Sequence, residues 1–213
     1  LVDVLARVHA VDPEAIGLGS LGRPEGFFRR QAKGWLGRAL GVTAGELPVA
    51  ARRIADWLDA CPEPQDRGAV LLHSDFKLDN LLLDRSTLRA TTLVDWDMGT
   101  RGPAMFDLAT LLSYWAEPGD PDCMHRLAQM PTARPGFMTR EEAALAYARV
   151  TGRPVGNIRP WRVLAIFKLA VVFLQLHKRH ATGETSDPRY ESFSSLGHDL
   201  YAFALDVARG RLF

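Results

Sequence analysis

The stretch His73-Ser74-Asp75-Phe76-Lys77-Leu78-Asp79-Asn80, with Asp95-Trp96-Asp97 fifteen residues further on, decides the reading of this chain. It has the form H-x-D-x-x-x-x-N, followed by an acidic pair that closes an apolar run. A phosphoryl-transfer site needs its groups in this order. A carboxylate receives the proton of an attacking hydroxyl, and then an amide and a carboxylate hold Mg²⁺. Asp75 has the chemistry of the proton acceptor. Asn80 and Asp95 offer the hard oxygen ligands that Mg²⁺ prefers. Asp97 is either a further ligand or an acceptor behind the ligands. Lys77 puts an ammonium between base and metal groups, where it can meet the transferring phosphate. His73 is expected to hold the loop rather than to react.

The flanking sequence gives this motif a setting. Ala69 to His73 reads as a short apolar strand. Asn80–Leu83 and Thr91–Asp95 read as a β-pair across an Asp84–Arg89 turn. Asp107 is placed to cap a helix running through Leu108, Leu111, Leu112 and Trp115. Helical periodicity covers residues 1–10, 27–40, 48–61, 160–180 and 193–209. Thr139-Arg140-Glu141-Glu142 forms a capping box for a helix to about Val150. Pro62 to Gly68 is a polar break. Glu117 to Phe137, with Pro118, Pro121, Pro131 and Pro135, reads as a long loop of the kind that binds substrate. Its Glu117, Asp120 and Asp122 could contribute an acidic pocket for a polycation, whereas Arg29, Arg30, Lys33 and Arg38 form a basic face that reads as a solvated helix face or as a site for an anion. The expected fold is mainly α with a small β-hairpin insert that carries the chemistry.

Composition narrows the class. The chain has 213 residues, 47% of them hydrophobic, enough for one domain or one large lobe. A formal charge of +1 gives no field that would argue for nucleic acid or an anionic membrane. No continuous apolar run has the length of a membrane span, and no signal peptide is evident. Cys61 and Cys123, without a C-x-x-C pattern, read as free thiols in a reducing, cytoplasmic setting.

The combination of HSDFKLDN (73–80) and LVDWDMGTRGPAMFDLA (93–109) resembles the aminoglycoside phosphotransferase-like kinases, relatives of choline and fructosamine kinases. LARVHAVD, GRPEGFFRRQAKGW, PGFMTREEAALAYARVTGR and FKLAVVFLQLHKRHATGE resemble the subgroup associated with acyl-CoA dehydrogenases, so the likeness spans nearly the whole chain. It implies the C-terminal lobe of a protein-kinase-like fold. In that lobe Asp75 is the catalytic base, Asn80 and Asp95 are Mg²⁺ ligands, and Asp107 is a buried carboxylate bracing the catalytic loop. It also implies ATP as phosphoryl donor, a small-molecule hydroxyl as acceptor, and an N-terminal β-lobe of the same protein that grips the nucleotide. Only 72 residues precede His73, and up to the short strand at Ala69 they read as helices, so that β-lobe is expected to be missing and the fragment inactive alone. The acyl-CoA association and the basic face tilt the acceptor towards a hydroxyacyl compound or another small alcohol. Where the family has G-D-P, this chain has Gly102-Pro103-Ala104, losing an Asp expected to shape the turn.

Two other readings compete. One is a non-catalytic pseudokinase or binding module, opposed by the retained Asp75, Asn80 and Asp95. The other is a metal-dependent phosphoesterase with His73 and Asp75 as ligands, opposed by the lack of a second His/Asp cluster. Gly17-Leu18-Gly19-Ser20-Leu21-Gly22 matches G-x-G-x-x-G, but a helix precedes it and Arg23-Pro24 follows, so it reads as an ordinary loop. His177 and His180 read as the solvated end of a helix rather than as metal ligands.

Overall fold

A computed structural model of the chain describes residues 1–65, 68–211 and 213. In chain order the elements are α1 (Val2–His9), α2 (Phe27–Val42), α3 (Val49–Ala60), β1 (Ala69–Leu72), β2 (Leu81–Leu83), β3 (Ala90–Leu93), β4 (Thr100–Pro103), α4 (Ala104–Tyr114), α5 (Asp122–Leu127), α6 (Arg140–Thr151), α7 (Arg159–Ala181) and α8 (Phe193–Ala208). Short 3₁₀ turns cover Leu78–Asn80, Trp96–Met98 and Pro188–Ser192. The expected polar break at 62–68 includes Asp66 and Arg67, which lie outside the described residues.

The chain forms two compact units. The first comprises Leu1–Phe27, Gln65–Asp120 and Ala128–Ile158, and it holds every residue of the central motif. Two antiparallel pairs build its β part. β2 pairs with β3 as the sequence predicts, with Leu81 opposite Leu93. β1 pairs with β4, Leu72 opposite Thr100 and Val70 opposite Gly102, a partner the sequence reading leaves as a loop. Gly102 is required there: a Cβ would lie 2.7 Å from the Phe27 ring. α1 and α4 pack on β1, and α6 packs on α1. Their core includes the buried Leu5, Leu72, Phe76, Phe106, Leu108 and Leu111.

α4 begins without a side-chain cap, because its N-cap is Pro103. This is the position at which the family's G-D-P carries Asp, so the departure falls on a helix cap. Asp107 does not cap α4 as expected. It lies inside the first turn, where its carboxylate is free for other donors. α6 starts on the predicted capping box, with the Thr139 hydroxyl accepting the Glu142 N–H and the Glu142 carboxylate accepting the Thr139 N–H. It ends at Gly152 in the left-handed region. Residues 117–137 are not one loop, since α5 interrupts them.

The second unit comprises Phe28–Pro64, Pro121–Leu127 and Arg159–Phe213. α7 lies along α8, and α3 packs on both. Gly197 permits the close approach of α7 and α8: a Cβ would meet Leu174 at 2.7 Å. Trp161, Phe167, Leu200 and Phe203 are buried in this core. At 23 residues, α7, which the sequence predicts over 160–180, is the one described helix long and apolar enough to cross a membrane, whereas the sequence shows no unbroken apolar run of that length. Its apolar window is 78% buried inside the protein, which is the environment of a core helix.

Candidate active site

The loop after β1 turns sharply because Ser74 adopts a left-handed backbone, φ +66. A non-glycine residue persists there only if its surroundings hold it. Asp107 supplies that hold. Fully buried on α4, it accepts the His73 N–H on Oδ2 and the Ser74 N–H on Oδ1, each at 2.7 Å. A polar chain runs behind it, with His9 Nε2 3.4 Å from Asp107 Oδ2 and His9 Nδ1 2.6 Å from the Tyr147 hydroxyl. Burial is the main cause that pushes the Tyr147 phenol up to about 12; the Arg153 charge pulls the other way.

His73 is buried with both ring nitrogens engaged. Nε2 bonds the Val94 carbonyl at 2.8 Å, and Nδ1 accepts the Asp75 N–H at 3.3 Å. This pairing fits the neutral ring with its proton on Nε2. The ring lies against Trp96, centroids 4.8 Å apart, so His73 ties the loop to the end of the hairpin.

Asp75 emerges from the turn half-buried with donors on both oxygens. The Tyr114 hydroxyl donates to Oδ1 at 2.7 Å and Lys77 Nζ to Oδ2 at 2.6 Å. Asn80 Nδ2 donates to the Asp75 carbonyl at 2.8 Å and lies 3.4 Å from Oδ2. The Asn80 amide thus faces Asp75 with its nitrogen, and its oxygen has no partner among the described residues. The Val94 N–H donates to the Asn80 carbonyl at 2.9 Å, which brings the Val94–Asp97 segment beside the 73–80 loop. Asp95 follows in a second left-handed conformation, φ +65, with an exposed carboxylate that no described hydrogen bond or ion pair occupies. Asp97 is exposed on the next 3₁₀ turn.

Tyr114 shows how negative this corner is. Its phenol is raised well above the ordinary value by burial first, then by the Asp75 charge and hydrogen bond, and further by Asp79 and Asp95. Asp75, Asp79 and Asp95 thus all lie near this one buried hydroxyl, with the Lys77 ammonium paired to Asp75. With the exposed Asp95 carboxylate and the unclaimed Asn80 oxygen, the donor set is of the hard-oxygen kind that suits Mg²⁺. His73, with no open nitrogen, does not fit the phosphoesterase reading. No group of three or more His, Cys, Asp or Glu able to hold a metal exists among the described residues.

The sequence profile of the phosphotransferase enzyme family matches residues 1–145. The chain belongs to this family. It is 27% identical over 207 residues to mouse acyl-CoA dehydrogenase family member 10, covering 96% of the chain but only 19% of that relative. Among solved structures, a candidate aminoglycoside phosphotransferase from Ralstonia eutropha superposes with a TM-score of 0.83 at 25% identity, covering 98% of this chain and 63% of that one. The spectinomycin phosphotransferase APH(9)-Ia, in complex with ADP and spectinomycin, shares the fold alone, with a TM-score of 0.55 at 16% identity over 97% of this chain and 63% of that one.

Within this phosphotransferase-family chain, the expected acidic pocket is not formed. Arg140, buried, forks onto both oxygens of Asp120 and also bonds Glu117. Glu117 further accepts the Arg140 N–H, so both carboxylates are bound internally. Asp122 pairs with Arg126. Trp115 is buried with its indole N–H on the Met138 carbonyl. The basic face is also partly committed. Arg29 donates to the Leu58, Asp59 and Cys61 carbonyls at the end of α3, and Arg38 stacks on Trp35. Lys33 remains exposed beside an apolar groove lined by Ala32, Leu36, Ala55 and Phe167. Gly17–Gly22 is loop, as expected. His177 bonds the Tyr190 carbonyl.

Sequence reading missed Tyr114, Asp79 and His9. The signal for Tyr114 was its place seven residues after Asp107, two helical turns along the same face of α4.

Proposed function

We propose that this chain is the catalytic lobe of an ATP-dependent small-molecule phosphotransferase, which moves the γ-phosphate to a substrate hydroxyl. The observation that carries the reading is the arrangement around Asp75. Its carboxylate is fixed on both oxygens, while the Asn80 oxygen and the Asp95 carboxylate beside it are left for a metal. In this reading Asp75 takes the proton of the attacking hydroxyl. Lys77 exchanges its bond to Asp75 for the transferring phosphate. Asn80 and Asp95 hold Mg²⁺, with Asp97 as a further candidate, and the ion neutralises phosphate charge when bound. His73 and Asp107 keep the loop in its left-handed turn.

The acceptor we favour is a hydroxyacyl compound or another small alcohol. Two observations support this over a polycation: Arg140 binds Glu117 and Asp120, and the mouse relative carries an acyl-CoA dehydrogenase name. Because the chain spans 19% of that relative and 63% of the structural neighbours, nucleotide grip is assigned to the rest of a longer protein. A screen of the full-length protein for Mg·ATP consumption against hydroxyacyl-CoAs, small alcohols and aminoglycosides tests the assignment. Consumption stimulated by the first two is expected. Stimulation by aminoglycosides alone would overturn the acceptor class.

A further inference from the structure

One side chain touches both reactive groups of the loop. Tyr114 ends α4, is 7% exposed, and donates its hydroxyl to Asp75 Oδ1 at 2.7 Å. Lys77 Nζ lies 5.0 Å from the centre of its ring, within cation–π range. Seven residues earlier on the same helix, Asp107 clamps the two amides that start the loop. α4 therefore holds the loop at its root through Asp107 and at its working end through Tyr114.

We propose that Tyr114 is the positioning residue of the transfer step, orienting Asp75 through its hydroxyl and Lys77 through its ring face; the proposal rests on the phosphotransfer reading above. Without the phenol, an Asp75 whose Oδ2 is given up to the acceptor would keep no described bond on Oδ1 and could rotate about its side-chain torsions. The phenol on Oδ1 removes that freedom and leaves Oδ2 as the oxygen that meets the acceptor. Lys77 covers Oδ2 in this structure, so the ammonium must move off before the acceptor can bind there, and the adjacent phosphate is the group that draws it away. The acceptor oxygen then bonds to the γ-phosphorus as the bond to the departing ADP oxygen breaks, and the acceptor's proton passes to Oδ2. The phenol proton stays on Tyr114 throughout.

The test uses the full-length protein and follows ADP release from Mg·ATP with water as acceptor, in wild type, Tyr114→Phe, Asp75→Asn and the double variant. Tyr114→Phe keeps the ring under Lys77 and is expected to lower kcat about tenfold while the KM for Mg·ATP stays within about twofold. In the Asp75→Asn background it should change nothing further, because the carboxylate it orients is gone. Tyr114→Leu, which also removes the ring, should lose more than Tyr114→Phe. Tyr201→Phe deletes a buried hydroxyl with no hydrogen-bond partner among the described residues and should leave kcat and KM unchanged. Unfolding midpoints of all variants separate loss of position from loss of fold. A kcat for Tyr114→Phe equal to wild type, or an equal fold-loss in both backgrounds, would overturn the role. A wild-type protein that releases no ADP with water or with any acceptor of the screen above would instead bring down the phosphotransfer reading, and the role with it.

Discussion

Asp107 carries two buried amides on two oxygens, so its replacement has a definite cost. Asp107→Ala leaves the His73 and Ser74 N–H groups without acceptors in a dry site, a loss of about 3 kcal/mol in urea unfolding. Asp107→Asn retains one acceptor and turns a donor towards the other amide, so it should fall between Ala and wild type. Arg140 is the second such residue. Arg140→Ala leaves Asp120, whose side chain is 2% exposed, without its counter-charge, at a cost of roughly 3–5 kcal/mol. Thermal unfolding checks this, and an unchanged midpoint would contradict the buried network. The proposed reactive residues stand out in the sequence because Asp75 and Asn80 share one short loop and Asp95 closes the hairpin that follows it. Their supports were not. Tyr114 lies 39 residues from Asp75 and His9 lies 98 from Asp107, and no local pattern joins partners that only folding brings together.

Among the elements, those with their own punctuation could be read directly. The α6 capping box is local chemistry, and Thr139→Ala should cost about 1 kcal/mol. The β2–β3 turn is fixed by Asp84, which accepts from the amides and hydroxyls of both Ser86 and Thr87. Those bonds, led by the Ser86 hydroxyl, hold its carboxyl well below the ordinary 3.8. A depressed native value means the turn gains stability above the ordinary range and loses it as pH falls through the native value. Hydrogen exchange of the Ser86 and Thr87 amides should therefore lose protection on acidification in wild type, while Asp84→Ala should lack protection at neutral pH as well. β4 could not be read, because Thr100-Arg101-Gly102-Pro103 has neither alternation nor a β-branched run and is a strand only through its pairing with β1. α5 was hidden because its six residues lie between Pro121 and Pro131, where turn signals dominate.

At the level of the whole molecule, the first unit brings the proposed base, amide and metal carboxylate together on one loop and one hairpin. The second unit is a helical core built on α7 and α8. Membership of the phosphotransferase enzyme family rests on residues 1–145, which contain all of these site residues. The central claim is that Asp75 is the base of a phosphoryl transfer. Its most direct test is the rate of γ-phosphate transfer from Mg·ATP by the full-length protein, wild type against Asp75→Asn, with unfolding midpoints measured alongside. A loss of about a hundredfold or more in kcat, with the midpoint unchanged, is predicted. Equal turnover by the two proteins would contradict the assignment.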